Sequence, residues 1–159
     1  MQGRQEGKFN PVETRTAGAS APQVAVHPLL LDTHVLLDLW LFDNPRLQPL
    51  ALRLQDLRWV ATAAMVAEWH YMMQRGIDRF PPRSWADLPL PQLQPAPANA
   101  APWRCRDPDD QMFLDLAFAL KPCALWTRDK ALLAHRKRAA TVGVVIETPE
   151  SGLMRSDWA

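Results

Sequence analysis

Apolar residues recur along this chain in short blocks whose spacing alternates between that of a strand and that of a helix. The pattern predicts strands at residues 24–32, 59–61, 124–127 and 142–146. It predicts helices at residues 35–42, 47–57, 63–75, 108–120 and 130–140. Strands that alternate with helices favour an α/β fold with a parallel sheet covered by helices on both faces.

Local signals mark several boundaries of these elements. Thr62 can cap the helix that follows it, Gly76 can end that helix, and Pro108 suits the first turn of another. Residues 1–23 lack an apolar period, so we expect a flexible N-terminal extension. The remainder, 24–159, is predicted to be one domain. Within it, residues 81–102 contain seven prolines and predict a long, mostly extended and mobile connection.

Composition narrows the possible partners and compartment. The chain is 48% hydrophobic, which suffices for a core, and its net charge of +1 confines any nucleic-acid binding to local patches. Cys105 and Cys123 lack metal-ligand spacing, and a reduced, cytoplasmic protein is the simplest interpretation. The sequence contains no apolar run of membrane-spanning length and no signal-peptide pattern at its start, so we expect no membrane partner.

Two aspartates follow predicted strands. Asp32 ends the first strand, and Asp129 comes just after the strand at 124–127. In open parallel sheets, ligands bind at the carboxyl ends of the strands, which share one edge. Either aspartate is equally suited to cap the helix that follows it, so each alone is compatible with a purely structural role.

Two more carboxylates lie on predicted helices. Glu68 is on the apolar face of its helix, where a charge is costly unless it is paired, bound to a metal or able to reach water. Asp110 leans towards the apolar face of the helix at 108–120, whereas capping and the helix dipole explain Asp107 and Asp109. Asp115 falls off that face, and we expect it to be a solvated surface charge.

These four carboxylates cannot all stay ionised if they converge without a cation: Asp32, Glu68, Asp110 and Asp129. At about 4 Å and an effective dielectric constant near 20, each pair of like charges costs roughly 4 kcal/mol. Either their pKa values rise or a divalent metal binds. A metal held by oxygen ligands suggests phosphate chemistry.

The segments that carry the carboxylates resemble the PIN-domain family of metal-dependent ribonucleases. The similar segments are residues 31–38 (LDTHVLLD), 61–68 (ATAAMVAE), 107–117 (DPDDQMFLDLA) and 127–133 (TRDKALL). The last two together are most similar to the bacterial branch described as toxin components of toxin–antitoxin systems. The resemblance covers residues 29–149 and is loose at 78–104.

The resemblance implies a three-layer α/β/α sandwich with a central, mostly parallel sheet. It also implies Mg²⁺ or Mn²⁺ in an acidic quartet, cleavage of single-stranded RNA, a homodimer and a small antitoxin protein that blocks the site. The quartet of catalytic and metal-binding residues falls on Asp32, Glu68, Asp110 and Asp129. In this scheme Asp32 and Asp129 are direct ligands, Asp110 holds a second ion or outer waters, and Glu68 orients the attacking water or binds the same ion.

Cations beside the acidic segments are candidates for contacts with RNA phosphates: Arg106, Arg128 and Lys130. Residues 136–138 extend the basic run, but cations that complement a helix dipole explain them equally well. Trp85 and Trp103 have the chemistry to stack on bases, although packing against the domain is favoured for both.

Three positions depart from the family's pattern: His34 replaces the usual Asn, Arg128 a frequent Gly, and Ala131 an acid found in some relatives. His34 and Ala131 support an alternative, a catalytically weakened RNA-binding or protein-interaction module of the same fold. A histidine ligand, His34 or His70, would shift the metal preference towards Mn²⁺ or Zn²⁺. A third interpretation, an aspartyl-phosphate phosphatase, would need an Asp at position 34.

Overall fold

A computed structural model describes residues 27–77, 80–84 and 89–155. Its strands are β1 (Leu29–Leu31), β2 (Val60–Thr62), β3 (Gln92–Gln94), β4 (Cys123–Trp126) and β5 (Val144–Glu147). Its α-helices are α1 (Thr33–Trp40), α2 (Gln48–Arg53), α3 (Ala63–Arg75), α4 (Gln111–Leu120), α5 (Lys130–Leu133), α6 (Arg136–Ala140) and α7 (Pro149–Met154). Short 3₁₀ turns occupy Pro45–Leu47, Leu54–Asp56 and Pro108–Asp110.

The strands form a parallel sheet, as the alternation of strands and helices predicted. Strand β4 pairs with β1 on one side and β5 on the other, and β2 pairs with β3. A parallel bridge between Leu29 and Trp59 connects the two sets of strands. The order across the sheet is therefore β3-β2-β1-β4-β5, which confirms the predicted α/β fold with its parallel central sheet.

The core lies where β1, β2 and β4 cross the domain. Every residue of these three strands is buried. Strands covered on both faces need continuous apolar runs without alternation, and the leucines of β1 provide one. Trp69 of α3 and Phe113 of α4 are also fully buried. Side chains of this size contribute about 1.5–3 kcal/mol each when they leave water.

The predicted helix boundaries agree with the structure at both ends of α3 and at the start of the α4 segment. The Thr62 hydroxyl accepts a hydrogen bond from the Met65 N–H at 3.3 Å, and the chain leaves α3 at Gly76, whose φ is 69°. Pro108 begins the 3₁₀ turn that leads into α4. Among the described residues, no helix has the length and apolar character needed to cross a bilayer.

The Pro-rich segment differs from the prediction, because Gln92–Gln94 forms strand β3 and is not an unpaired connection. The Gln92 N–H donates to the Trp59 carbonyl at 2.8 Å. Along a strand, the backbone N–H and C=O groups of successive residues point to opposite sides. Those of Gln92 point towards β2, so Pro91 and Pro95 fall at positions whose backbone points away from β2. Proline has no N–H to offer, so this edge presents few donors to a further strand. The mobility of the segment stays a prediction.

Other elements are shorter than predicted or were not predicted. The first strand spans Leu29–Leu31, and the predicted N-terminal extension at 1–23 lies outside the described residues. The helix predicted at 130–140 is interrupted at residues 134–135, which separates α5 from α6. Helix α7 was not predicted, although the Thr148 hydroxyl caps it by accepting from the Ser151 N–H at 3.2 Å.

Gly152 explains how α7 packs on the sheet, and its replacement tests this. A methyl group on Gly152 would lie 2.2 Å from Cε2 of Trp126, which is buried in β4. We expect Gly152→Ala to lower the free energy of unfolding by about 1–3 kcal/mol, although alanine alone favours a helix by roughly 1 kcal/mol. Chemical denaturation measures the change. The exposed neighbour Ser151→Ala is the control, and equal stability of both variants would contradict this packing.

Candidate active site

Asp32 is a buried carboxylate at the carboxyl end of β1. Its side chain is 3% exposed and caps α1, because Oδ1 accepts a hydrogen bond from the His34 N–H at 2.6 Å. The other oxygen, Oδ2, accepts from the Thr127 hydroxyl. Burial raises the pKa of Asp32 above its ordinary value, and the hydrogen bonds from Thr127 and His34 only partly oppose this. Asp32 therefore both caps α1 and lies at the carboxyl end of β1.

Thr127 connects Asp32 to Asp129. Thr127 follows β4 and is fully buried, and its hydroxyl also accepts the Asp129 N–H at 2.9 Å. Asp129 in turn caps α5 by accepting from the Ala131 N–H at 2.7 Å. No role was predicted for Thr127 from the sequence. The spacing Thr-x-Asp after a strand was the available signal, since a hydroxyl can accept the N–H two residues later.

Asp110 lies beside Asp129, close enough for their carboxyl groups to interact. A hydrogen bond between two carboxyl groups requires a proton on one of them, so this interaction favours a protonated Asp110. Burial, this hydrogen bond and the negative charges of Asp129, Asp107 and Asp32 raise the pKa of Asp110 to about 7. In the metal-free protein, protonation of Asp110 therefore relieves part of the repulsion among these carboxylates as the pH falls through about 7, and a bound cation would relieve it at higher pH.

Glu68 approaches the same region from α3. Its Oε2 accepts a hydrogen bond from the Thr33 hydroxyl at 3.3 Å, and the Trp69 indole N–H donates to that hydroxyl at 3.3 Å. Burial raises the pKa of Glu68, and the negative charges of Asp109 and Asp32 raise it further. The structure thus places Glu68 within electrostatic range of Asp32.

The quartet does not form a ready-made metal cage. In the described parts of the chain, no group of three or more His, Cys, Asp or Glu side chains is positioned to hold one ion. The donors nevertheless fit a hard divalent cation, because all are carboxylates. Burial raises the pKa values of Asp32, Glu68 and Asp110, and neighbouring negative charges raise those of Glu68 and Asp110 further. The side chains would have to reorient to share an ion. That all four bind metal stays a prediction.

Arg128, a predicted RNA contact, is engaged in ion pairs. Its guanidinium contacts the carboxylates of Asp38 in α1 and Glu150 in α7. Burial raises the pKa of Asp38 more than the charge of Arg128 lowers it. These contacts tie the loop that carries Asp129 to two helices, so a phosphate could reach the guanidinium only in competition with two carboxylates. The other predicted contacts, Arg106 and Lys130, are exposed.

Asp115 is not the solvated charge that we expected. Its Oδ1 accepts hydrogen bonds from the Ala101 N–H at 2.8 Å and from Gln111 Nε2 at 2.9 Å. It therefore anchors the end of the Pro-rich segment to α4. Trp103 packs against the domain as favoured, 5% exposed and edge-on to Phe118.

Trp85 and His34 were further candidates from the sequence. Trp85 lies outside the described residues. The side chain of His34 is exposed, and His34 serves Asp32 through its backbone N–H.

One known family matches a large part of the chain. The family described as PIN domain matches residues 28–131, almost two thirds of the chain and a span that includes all four carboxylates. No curated protein and no solved structure matches the chain.

Replacement of Thr127 tests its link between the two aspartates. Thr127→Val keeps the shape but leaves Asp32 Oδ2 and the Asp129 N–H without this partner, so we expect a loss of about 1–3 kcal/mol in the free energy of unfolding. Thr127→Ser retains the hydroxyl and should restore most of it. Denaturant titration compares them with Thr141→Val, an exposed control. A loss at position 127 no larger than at 141 would contradict the link.

The pKa of Asp110 predicts how stability depends on pH in the absence of metal. Its pKa is about 7 in the folded protein against an ordinary value of 3.8, so the folded state binds the proton more tightly. The free energy of unfolding should therefore increase as the pH falls from 8 to 5. The stability gained in this way is lost when the pH rises through about 7.

Asp110→Asn should remove most of this increase. We expect it to stabilise the protein at pH 8 by about 1 kcal/mol, because Asp110 is partly exposed and water screens the charges. Denaturation in EDTA at pH 8 and pH 5 measures both effects, with the exposed Asp56→Asn as control. A wild type that becomes less stable as the pH falls from 8 to 5 would count against the raised pKa of Asp110.

Proposed function

The chain belongs to the PIN-domain family, whose members are generally nucleases that use divalent metals, and on this basis we propose a metal-dependent endoribonuclease that cleaves single-stranded RNA. One observation carries the proposal. Thr127 links the Asp129 backbone to the buried Asp32, and burial together with the neighbouring Asp129 raises the pKa of Asp110 to about 7. Carboxylates gathered against their own repulsion are typical of cation and phosphate chemistry.

The residues of the site have distinct roles in this proposal. Asp32, Asp110 and Asp129 would hold Mg²⁺ or Mn²⁺, which when bound supplies a nucleophilic water of lowered pKa and stabilises charge on the phosphate. Asp110 would release its proton as the ion binds. The hydrogen bonds from His34 and Thr127 hold Asp32 in place, and those at Ala131 and Thr127 hold the Asp129 segment.

Glu68 is suited to handle the proton of the attacking water. Its raised pKa moves the carboxylate towards the range in which a general base is effective near neutral pH. The Thr33 hydroxyl bonds one of its oxygens, which leaves the other available to a water. Glu68 could instead complete the metal coordination, as the resemblance also allows.

The cellular role in this proposal is that of a toxin in a toxin–antitoxin pair. The resemblance of residues 107–117 and 127–133 to the bacterial toxin branch supports it. A small antitoxin protein that covers the site, a homodimer and a cytoplasmic location belong to the same proposal. A search of the adjacent open reading frame for a short partner protein would test this part directly.

A second candidate function is a module of the same fold that binds RNA or a protein without cleavage. Two observations favour it. In the described residues, no three side chains are positioned to hold an ion. Ala131 stands where some relatives carry another acid, and it provides only its backbone N–H to Asp129.

Replacing the aspartates at the strand ends tests the nuclease. Asp32→Asn and Asp129→Asn remove a metal ligand, so we expect RNA cleavage to fall at least about 100-fold. Asn caps helices about as well as Asp, so α1 and α5 should persist. The control is Asp43→Asn, an exposed residue whose φ of 48° suits asparagine. Cleavage and thermal melting are measured on the same samples, with Mn²⁺ and with EDTA.

The outcomes separate the two candidates. Mn²⁺ should raise the melting temperature of the wild type and of Asp43→Asn more than that of the two site variants. Cleavage in EDTA, or full activity of both site variants, would refute the mechanism. A folded wild type that binds Mn²⁺ and RNA but cuts no RNA would support the binding module.

A further inference from the structure

We propose that the groove between α5 and α6 binds the phosphate backbone of the RNA strand that enters the active site. This inference rests on the proposed function, because it assigns a further part of the same substrate. The groove is a cavity of about 450 Å³ with these lining residues: Lys130, Leu133, Ala134, Arg136 and Lys137. Lys130, one of its lining residues, directly follows Asp129, so the groove lies beside the helix that Asp129 caps.

The interruption between α5 and α6 is what brings the three cations to one cavity. In an uninterrupted helix of 3.6 residues per turn, Lys130 and Lys137 would share a face and Arg136 would lie roughly 120° away. The chain instead turns at residues 134–135, and Arg136 lines the same cavity as both lysines. Lys130, Arg136 and Lys137 thus line one concave surface, and Lys137 also lies in the last turn of α6, where a cation complements the helix dipole.

The three cations lack acidic partners in the described parts of the chain. Lys130, Arg136 and Lys137 are exposed, and none forms an ion pair or a side-chain hydrogen bond with a described residue. Arg128, two residues from Lys130, contacts two carboxylates. Cations that converge without counter-charges repel one another, and a bound polyanion relieves that repulsion.

The composition of the groove favours a nucleic-acid backbone. Its cations stand beside the apolar surfaces of Leu133 and Ala134, which suits the alternation of phosphate with sugar along a strand. The chain carries a net charge of only +1, so this attraction is local. A strand held here would pass next to Asp129, whereas binding at a distant basic patch would not deliver a phosphate to the carboxylates.

Salt dependence of RNA binding distinguishes this groove from general charge effects. The full chain is titrated against a fluorescent single-stranded RNA in EDTA, which prevents metal-dependent cleavage, at several salt concentrations. Lys130→Gln/Lys137→Gln is compared with Arg58→Gln/Arg75→Gln, which removes two charges before β2 and at the end of α3. In the groove variant, the negative slope of log K against log salt should become less steep by about 1.4, since each of the two lost phosphate contacts to a single strand contributes about 0.7.

Two results would overturn the proposal: an unchanged slope in the groove variant, or an equal fall in both variants. Poly-glutamate that displaces the RNA at equal charge concentration would also overturn it, because the groove would then suit an acidic protein partner. The test is independent of turnover. If the wild type binds RNA but does not cut it, and the groove variant loses binding, the groove is supported and the nuclease is refuted. If the wild type cuts RNA and the groove variant has an unchanged salt slope, the nuclease is supported and the groove is refuted.

Discussion

The hydroxyl of Thr127 joins two chain segments that are 95 residues apart, and the candidate site depends on it. The parallel pairing of β1 with β4 sets Leu31 opposite Trp126, so Asp32 and Thr127 follow their strands at the same level. A hydroxyl has one proton to donate. Thr127 gives it to Asp32 and accepts from the Asp129 backbone, which fixes the relative positions of both aspartates. A shift of one residue in this register would turn the Thr127 side chain to the other face and separate them.

The arrangement held by Thr127 works against the stability of the metal-free protein. Burial raises the pKa of Asp32, of Glu68 and of Asp110, and the neighbouring Asp129 raises that of Asp110 further. Protein folding alone gives no reason to bring four carboxylates to one region, because their mutual repulsion is a cost in every pH range in which they ionise. Protonation of Asp110 relieves part of that cost. A divalent cation would relieve more, so the same geometry that weakens the fold would favour metal binding.

The sequence was sufficient for the features that depend on local pattern. Apolar runs located β1 and β4, and the positions just after them located Asp32 and Asp129. It was insufficient where a distant part of the chain decides. Strand β3 has three residues, of which only the exposed Leu93 is apolar, and it forms because β2 offers it hydrogen bonds. Helix α7 contains a glycine that disfavours helices but fits the face of Trp126. Thr127 was missed for the same reason, since its value comes from Asp32 across the sheet.

The two cations on either side of Asp129 show why residue type alone does not assign a role. Arg128 and Lys130 both looked like phosphate contacts in the sequence. Asp38 and Glu150, which lie 90 and 22 residues from Arg128, take its guanidinium into ion pairs with α1 and α7. Planar guanidinium suits such paired carboxylates better than an ammonium group does. Arg128 therefore supports the loop that carries Asp129. Lys130 lines the groove between α5 and α6 and forms no ion pair with a described residue, so no described carboxylate competes with a phosphate for its ammonium group.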